Sequence, residues 1–192
     1  MSEARSRYSK VAIVLHWLIA LLIIGQLTIG FYMVGLTKEQ AALKLQIYQL
    51  HKSIGITILM LTVVRLSWRL THPAPALPEG MKRWEKFAAH GTHYAFYVLL
   101  LVIPLLGWAY VSAAPLNVPT MFFGVIHWPH MPFFEGVANR KEVAEILAES
   151  HEIAAKAAIA LLILHVAAAL KHHWLDGDDV LSRMLPIVRA RK

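Results

Sequence analysis

The chain has 192 residues, 57% apolar and only 16% charged, with 19 Lys and Arg against 12 Asp and Glu for a formal charge of +7. Soluble domains carry roughly a quarter of their residues as charges, so this composition argues against a water-soluble globule. Cysteine is absent, which excludes disulfides, thiolate nucleophiles, Cys-ligated zinc and iron–sulfur clusters.

Four apolar spans follow one another along the chain. The first, Val11–Leu36, runs 26 residues without an acidic or basic side chain, enough to cross about 30 Å of hydrocarbon. It follows Arg5, Arg7 and Lys10, as a signal peptide would. Its core is too long for one and no Ala-x-Ala site follows, so it is expected to stay in the mature protein. The second span, Leu45–Leu70, ends in Arg65 and Arg69, and Pro73, Pro75 and Pro78 then bar a continuing helix. Lys82, Arg83 and Lys86 lead into the third, Phe87–Ser112, where neighbouring helices can absorb Pro104. Between 113 and 149 four prolines break up an aromatic stretch, Met121–Phe134, suited to the lipid–water boundary, and an acidic amphipathic segment, Lys141–Glu149, follows. The fourth span, Ser150–His173, precedes an acidic turn at 176–179 and a basic tail from Arg183 to Lys192. The expectation is an all-α membrane protein, a four-transmembrane-helix bundle forming one domain over 1–192.

Basic residues orient it. Thirteen Lys and Arg fall on the side of the N-terminus, the 65–86 connection and the tail. Lys38, Lys44, Lys52, Arg140, Lys141 and Lys156 fall on the other. The positive-inside rule places both termini in the cytoplasm and the 113–149 loop in the periplasm. The acidic residues divide evenly, so the excess charge belongs to the cytoplasmic face and calls for no nucleic acid.

Eleven histidines are the unusual feature, because an imidazole within an apolar span is costly and usually functional. His151 and His165 are fourteen residues apart, just under four turns, so they share one helix face at a separation of about 21 Å. His51 matches His151 in depth near the outer leaflet, and His16 matches His165 near the inner one. Two imidazoles from different helices at one depth are what an edge-on haem requires above and below its iron. Depth matching therefore gives two bis-histidine sites, His16 with His165 and His51 with His151. Zinc would want its ligands gathered in one tetrahedron. His90 and His93 lie near the inner depth and either displace His16 as ligand or serve haem propionates or a quinone pocket, where a neutral ring can exchange a proton.

Arg65 also lies fourteen residues past His51, at the inner depth, and either pairs with a propionate or snorkels from a helix end. Lys52 and Lys156 carry the same two alternatives at the outer site. Gly55 is expected to let a porphyrin approach the second helix. His127 and His130 suit either packing or substrate entry, and His72, His172 and His173 sit at inner helix ends, with no role inferred.

The combination Leu15-His16-Trp17-Leu18, His51-x-Ser53-x-Gly55, Val64-Arg65-Leu66, Ala89-His90-x-x-His93, His151-Glu152, Leu164-His165-Val166-Ala167 and Lys171-His172-His173 resembles the bacterial cytochrome b561 family over about Tyr8 to Pro186. The resemblance implies a four-helix inner-membrane cytochrome with two haems b and the same four axial ligands. One branch of that family is a superoxide oxidase that reduces ubiquinone. More distant relatives are cytochrome b subunits of nickel–iron hydrogenases and formate dehydrogenases. Membrane lipid and quinone are thus the expected partners, with a periplasmic electron donor or a partner subunit on the outer side. Three functions compete: a stand-alone oxidoreductase linking a donor such as superoxide to the quinone pool, an electron-transfer subunit of a larger dehydrogenase or hydrogenase, and a haem-free transporter using a histidine relay.

Overall fold

The structure, a computed structural model, describes residues 7–188. Arg5, Arg189, Arg191 and Lys192, four of the basic residues behind the expected orientation, lie outside the described residues. Four helices are long and apolar enough to cross a membrane.

The first, α1 (Lys10–Gly35), begins where the Ser9 hydroxyl accepts the Ala12 N–H at 3.2 Å, satisfying one of the donors a helix start leaves free. The same hydroxyl accepts Trp68 Nε1–H at 3.0 Å, which ties this start to the end of α2 (Ala41–Thr71). α3 (Arg83–Ala113) opens with the Glu85 carboxylate accepting the Lys82 N–H at 3.0 Å and contains Pro104. α4 (Arg140–Lys171) passes into a π-helical turn, His172–Asp176, closed by Gly177 at φ +67°. A short α5 (Val180–Met184) follows. Its last carbonyl, on Met184, accepts Trp17 Nε1–H at 2.8 Å, so the tail folds back on α1.

Two features differ from the sequence expectation. The acidic stretch Lys141–Glu149 is not a separate segment but the opening turns of α4, which starts at Arg140. At about 1.5 Å per residue the helix is about 48 Å long and projects beyond the hydrocarbon. The connection before it contains an antiparallel hairpin, β1 (Thr120–Phe122) with β2 (Ile126–Trp128), Phe122 opposite Ile126. Phe123 (φ +48°) and Gly124 (φ +74°) make its turn, closed by Val125 N–H to the Phe122 carbonyl at 3.1 Å. Two consecutive positive φ values describe a type I′ turn, whose usual residues are Asn-Gly. A phenylalanine in the first position hides it from a sequence reading.

Ser53 anchors the hairpin. Fully buried, it accepts the Phe123 N–H at 2.9 Å while its own hydroxyl donates to the Gln49 carbonyl at 2.9 Å. Gln49 adds both amide atoms, accepting Met121 N–H at 3.0 Å and donating to the Pro119 carbonyl at 2.8 Å.

The helices pack in sequence, α1 on α2, α2 on α3 and α3 on α4, whereas α4 does not pack along α1 or α2. The interior is thin, with Ile19, Ile56, Ile58 and Thr62 at its centre, while Leu21, Phe31, Val98 and Leu164 are exposed. Such broad apolar exposure is what lipid covers.

Candidate cofactor site

The uncovered side of α4 carries the two histidines that face the other helices. His51 on α2 and His151 on α4 place their ring centres 6.3 Å apart, inclined by 69°. His16 on α1 and His165 on α4 are 6.2 Å apart, inclined by 64°. An imidazole nitrogen binds a metal at about 2.0 Å and lies about 1.1 Å from its ring centre, so two rings flanking one iron have centres about 6.2 Å apart. Both pairs fit a bis-imidazole iron.

Buried atoms agree. Nδ1 of His16 and of His51 is buried with no hydrogen-bond partner among the described residues, a state that native interiors avoid unless something else occupies the group. His151 differs, since its Nδ1 lies 2.9 Å from the Ile103 carbonyl. A carbonyl can only accept, so Nδ1 carries the proton and Nε2 is left with a lone pair.

Glycines make room for these rings. A Cβ on Gly30 would lie 3.6 Å from His51 Cε1, and one on Gly107 only 3.1 Å from His151 Cε1 and 3.2 Å from its Nδ1. Gly30 is fourteen residues past His16, and Gly107 fourteen past His93. With Arg65 past His51 and His165 past His151, all four helices repeat one spacing. Because consecutive helices run in opposite directions, the repeats form two layers. The outer layer holds Gly30, His51, Gly107 and His151. The inner layer holds His16, Arg65, His93 and His165. Gly30, Gly107 and the Ile103 carbonyl are absent from the sequence reading, although the spacing that paired the histidines, applied to glycines, finds the first two.

Other expected residues take definite places. His93 lies 5.9 Å from His165 between ring centres, and Phe96 packs on the same imidazole at 5.3 Å. Arg65 sets its guanidinium over the Tyr97 ring, 5.7 Å from its centre. His90 is exposed. Lys52 donates to the Pro119 carbonyl at 3.2 Å, and Lys156 pairs with Glu152 at 2.6 Å in an exposed i,i+4 bridge. A Cβ on Gly55 would lie 3.4 Å from Gln26 Nε2, so that face of α2 is filled by protein. His130 bonds Asn117 at 3.0 Å, and His127 is exposed on the hairpin. His72 stacks on Trp68 and His172 bonds Asp178 at 2.7 Å, both at the inner end.

The family described as prokaryotic cytochrome b561 matches residues 7–186. The chain belongs to that family. It is a multi-pass membrane cytochrome b of the bacterial inner membrane, a haem b protein of electron transport. Cytochrome b561 homolog 2 of Escherichia coli is 32% identical over 93% of this chain and 91% of its own length. A Yersinia pestis protein named probable superoxide oxidase CybB is 31% identical over 96% and 98%. Cytochrome b562 of Cereibacter sphaeroides is 28% identical over 93% and 94%.

Proposed function

We propose that this cytochrome binds two haems b, one between His51 and His151 and one between His16 and His165. It passes electrons across the bilayer between a donor on the outer side and the quinone pool. The observation that carries this is the pair of imidazole couples, one at each end, at the separations of 6.3 and 6.2 Å. His93 stands at a comparable distance from His165, but α3 and α4 pack along each other and leave no slot for a macrocycle. α1 and α4 face each other without that packing, which favours His16 as the partner.

A haem ligated by two imidazoles exchanges single electrons through its iron and keeps no open coordination position. The chain's residues do the rest. His151 is held as an N–H donor by Ile103, and Gly30 and Gly107 clear the outer layer. Arg65 brings a cation suited to a carboxylate to the inner one, and His93 offers a proton-exchanging ring there. Superoxide as the donor is supported by the name of the Yersinia relative, and ubiquinone as the acceptor follows from the resemblance alone.

A second reading, an electron-transfer subunit of a larger dehydrogenase or hydrogenase complex, is favoured by one observation. No acidic or basic residue occurs from Phe87 to Phe134, and Leu116, Val125 and Phe133 around the hairpin are about four-fifths exposed.

Haem extraction and quantitation against protein decides the principal reading. Two haems per chain are expected, and one in each of His16→Ala, His165→Ala, His51→Ala and His151→Ala. One or none in the wild type, or two retained in His165→Ala, refutes it. A colourless, folded preparation supports the histidine relay instead. Quinone reduction by the chain purified alone sinks the subunit reading.

A further inference from the structure

The hairpin between α3 and α4 has a depth as well as a shape. We propose that its tip, Phe123 to Ile126, is a membrane-inserted wedge whose partner is the acyl chains of the outer leaflet. Neither water nor a protein covers it. The inference does not depend on haem, because it concerns a surface that the electron path leaves unused.

α2 supplies the depth. β1 is bonded to that helix at two points, Met121 N–H to Gln49 and Phe123 N–H to Ser53. Four helical residues rise about 6 Å and two strand residues about 7 Å, so β1 runs alongside α2 and descends with it. The turn therefore arrives level with Ser53, two residues past His51 on the inward course of the helix. The two layers are about 21 Å apart. Centred in about 30 Å of hydrocarbon, each lies about 4–5 Å inside its boundary, and the turn reaches that depth.

The tip also faces lipid. At about 100° per residue, Gln49 and Ser53 occupy the face of α2 turned away from His51, so the hairpin continues the outward apolar surface of the helices. Phe123, Val125 and Ile126 are 53%, 80% and 58% exposed, and no acidic or basic residue occurs between 113 and 134. His127 is opposite Met121, at the level of Gln49 and one turn of α2 nearer the water. Lipid rejects backbone whose N–H groups are unpaired. The donors of Met121, Phe123, Gly124 and Val125 are all taken, the last two by the Met121 and Phe122 carbonyls at 3.2 and 3.1 Å. An apolar tip with its turn closed suits the shallow burial of interfacial elements, about 5–10 Å below the headgroups.

The absence of cysteine makes the test direct. Val125→Cys, Lys141→Cys and Val98→Cys each give the full-length chain a single thiol, read in phosphatidylcholine–phosphatidylglycerol nanodiscs. Lys141 is exposed and lies ten residues before His151, about 15 Å outside the outer layer. Val98 is exposed and lies nine residues before Gly107, about 14 Å inside it. A thiol in hydrocarbon keeps its proton and does not meet a charged reagent, so a sulfonated maleimide should label Val125→Cys at least about tenfold more slowly than Lys141→Cys. Bimane on Val125→Cys should be quenched by lipids brominated in the upper half of the acyl chain, and on Val98→Cys by lipids brominated near the chain end. Bimane on Lys141→Cys should respond to neither.

Labelling of Val125→Cys as fast as Lys141→Cys overturns the proposal and leaves the tip in water, open to a partner subunit. Slow labelling without quenching by either lipid also overturns it, since a second copy of the chain then covers the tip. Both results leave the two-haem reading standing, and a failure of that reading leaves the depth of the hairpin unchanged.

Discussion

Replacing Ser53 with alanine tests how the hairpin is held over the outer end. Ser53 lies two residues beyond His51, and its hydroxyl is fully buried. It accepts the Phe123 N–H at 2.9 Å and donates to the Gln49 carbonyl at 2.9 Å. The Gln49 carbonyl remains inside α2 and loses little. The Phe123 N–H loses its acceptor, at the strained first position of the turn. Leaving a buried donor unpaired costs about 1–3 kcal/mol, which corresponds to roughly 5- to 150-fold more frequent opening. Amide hydrogen exchange of the protein in nanodiscs reads this directly. Peptides covering 120–128 should lose protection by that factor, and those covering α3 and the membrane part of α4 should not change. Unchanged exchange in the hairpin would show that the Gln49 bonds and aromatic packing hold it without Ser53. An equal loss everywhere would show that Ser53 supports the bundle rather than the hairpin.

Phe123→Asn should act in the opposite sense, because asparagine tolerates φ near +48° where a bulky residue is strained by about 1–2 kcal/mol. Up to about tenfold slower exchange in 120–128 is expected, and faster exchange would mean that the Phe123–Phe122 contact outweighs the strain. Trp17→Phe removes the indole bond to the Met184 carbonyl, worth about 1 kcal/mol; exchange should quicken about fivefold in α5 and stay unchanged in α2. Lys52 and Arg140 flank the hairpin and bond backbone carbonyls, and neither pairs with a carboxylate among the described residues. If the donor is superoxide, Lys52→Gln with Arg140→Gln should slow its reduction of haem by a few-fold to about tenfold and flatten the ionic-strength dependence; a rate indifferent to both points to a neutral donor.

The spans were legible because charge depletion over some twenty residues is a one-dimensional signal, and the histidine layers because a fixed helical rise converts residue number into depth. The start of α4 was not. Glu142, Glu145 and Glu149 look like a soluble segment, yet nothing in 140–149 breaks a helix, and a span can begin well outside the lipid. The hairpin escaped notice because its strands are three residues each and its turn sequence is Phe-Gly. Arg65 could be placed in depth but not in direction, since its contact is a ring on α3. Lys52 likewise needed the hairpin's position, because the Pro119 carbonyl that holds it is 67 residues away.

The fourteen-residue repeat links topology to the electrostatics of the two layers. Arg65 lies at the end of the bundle that also carries Arg69, Lys82, Arg83 and Lys86, and basic residues at helix ends settle on the side from which the chain inserts. A cation is tolerated at that depth because its stem can reach the boundary, whereas the outer layer holds two glycines and two imidazoles. The charge that orients the protein therefore also reaches the inner layer. With α4 supplying one imidazole to each layer and α3 a glycine to one and a histidine to the other, the layers differ only in what α1, α2 and α3 present. Exchanging Gly107 or Arg65 thus changes one layer without replacing a histidine of the other.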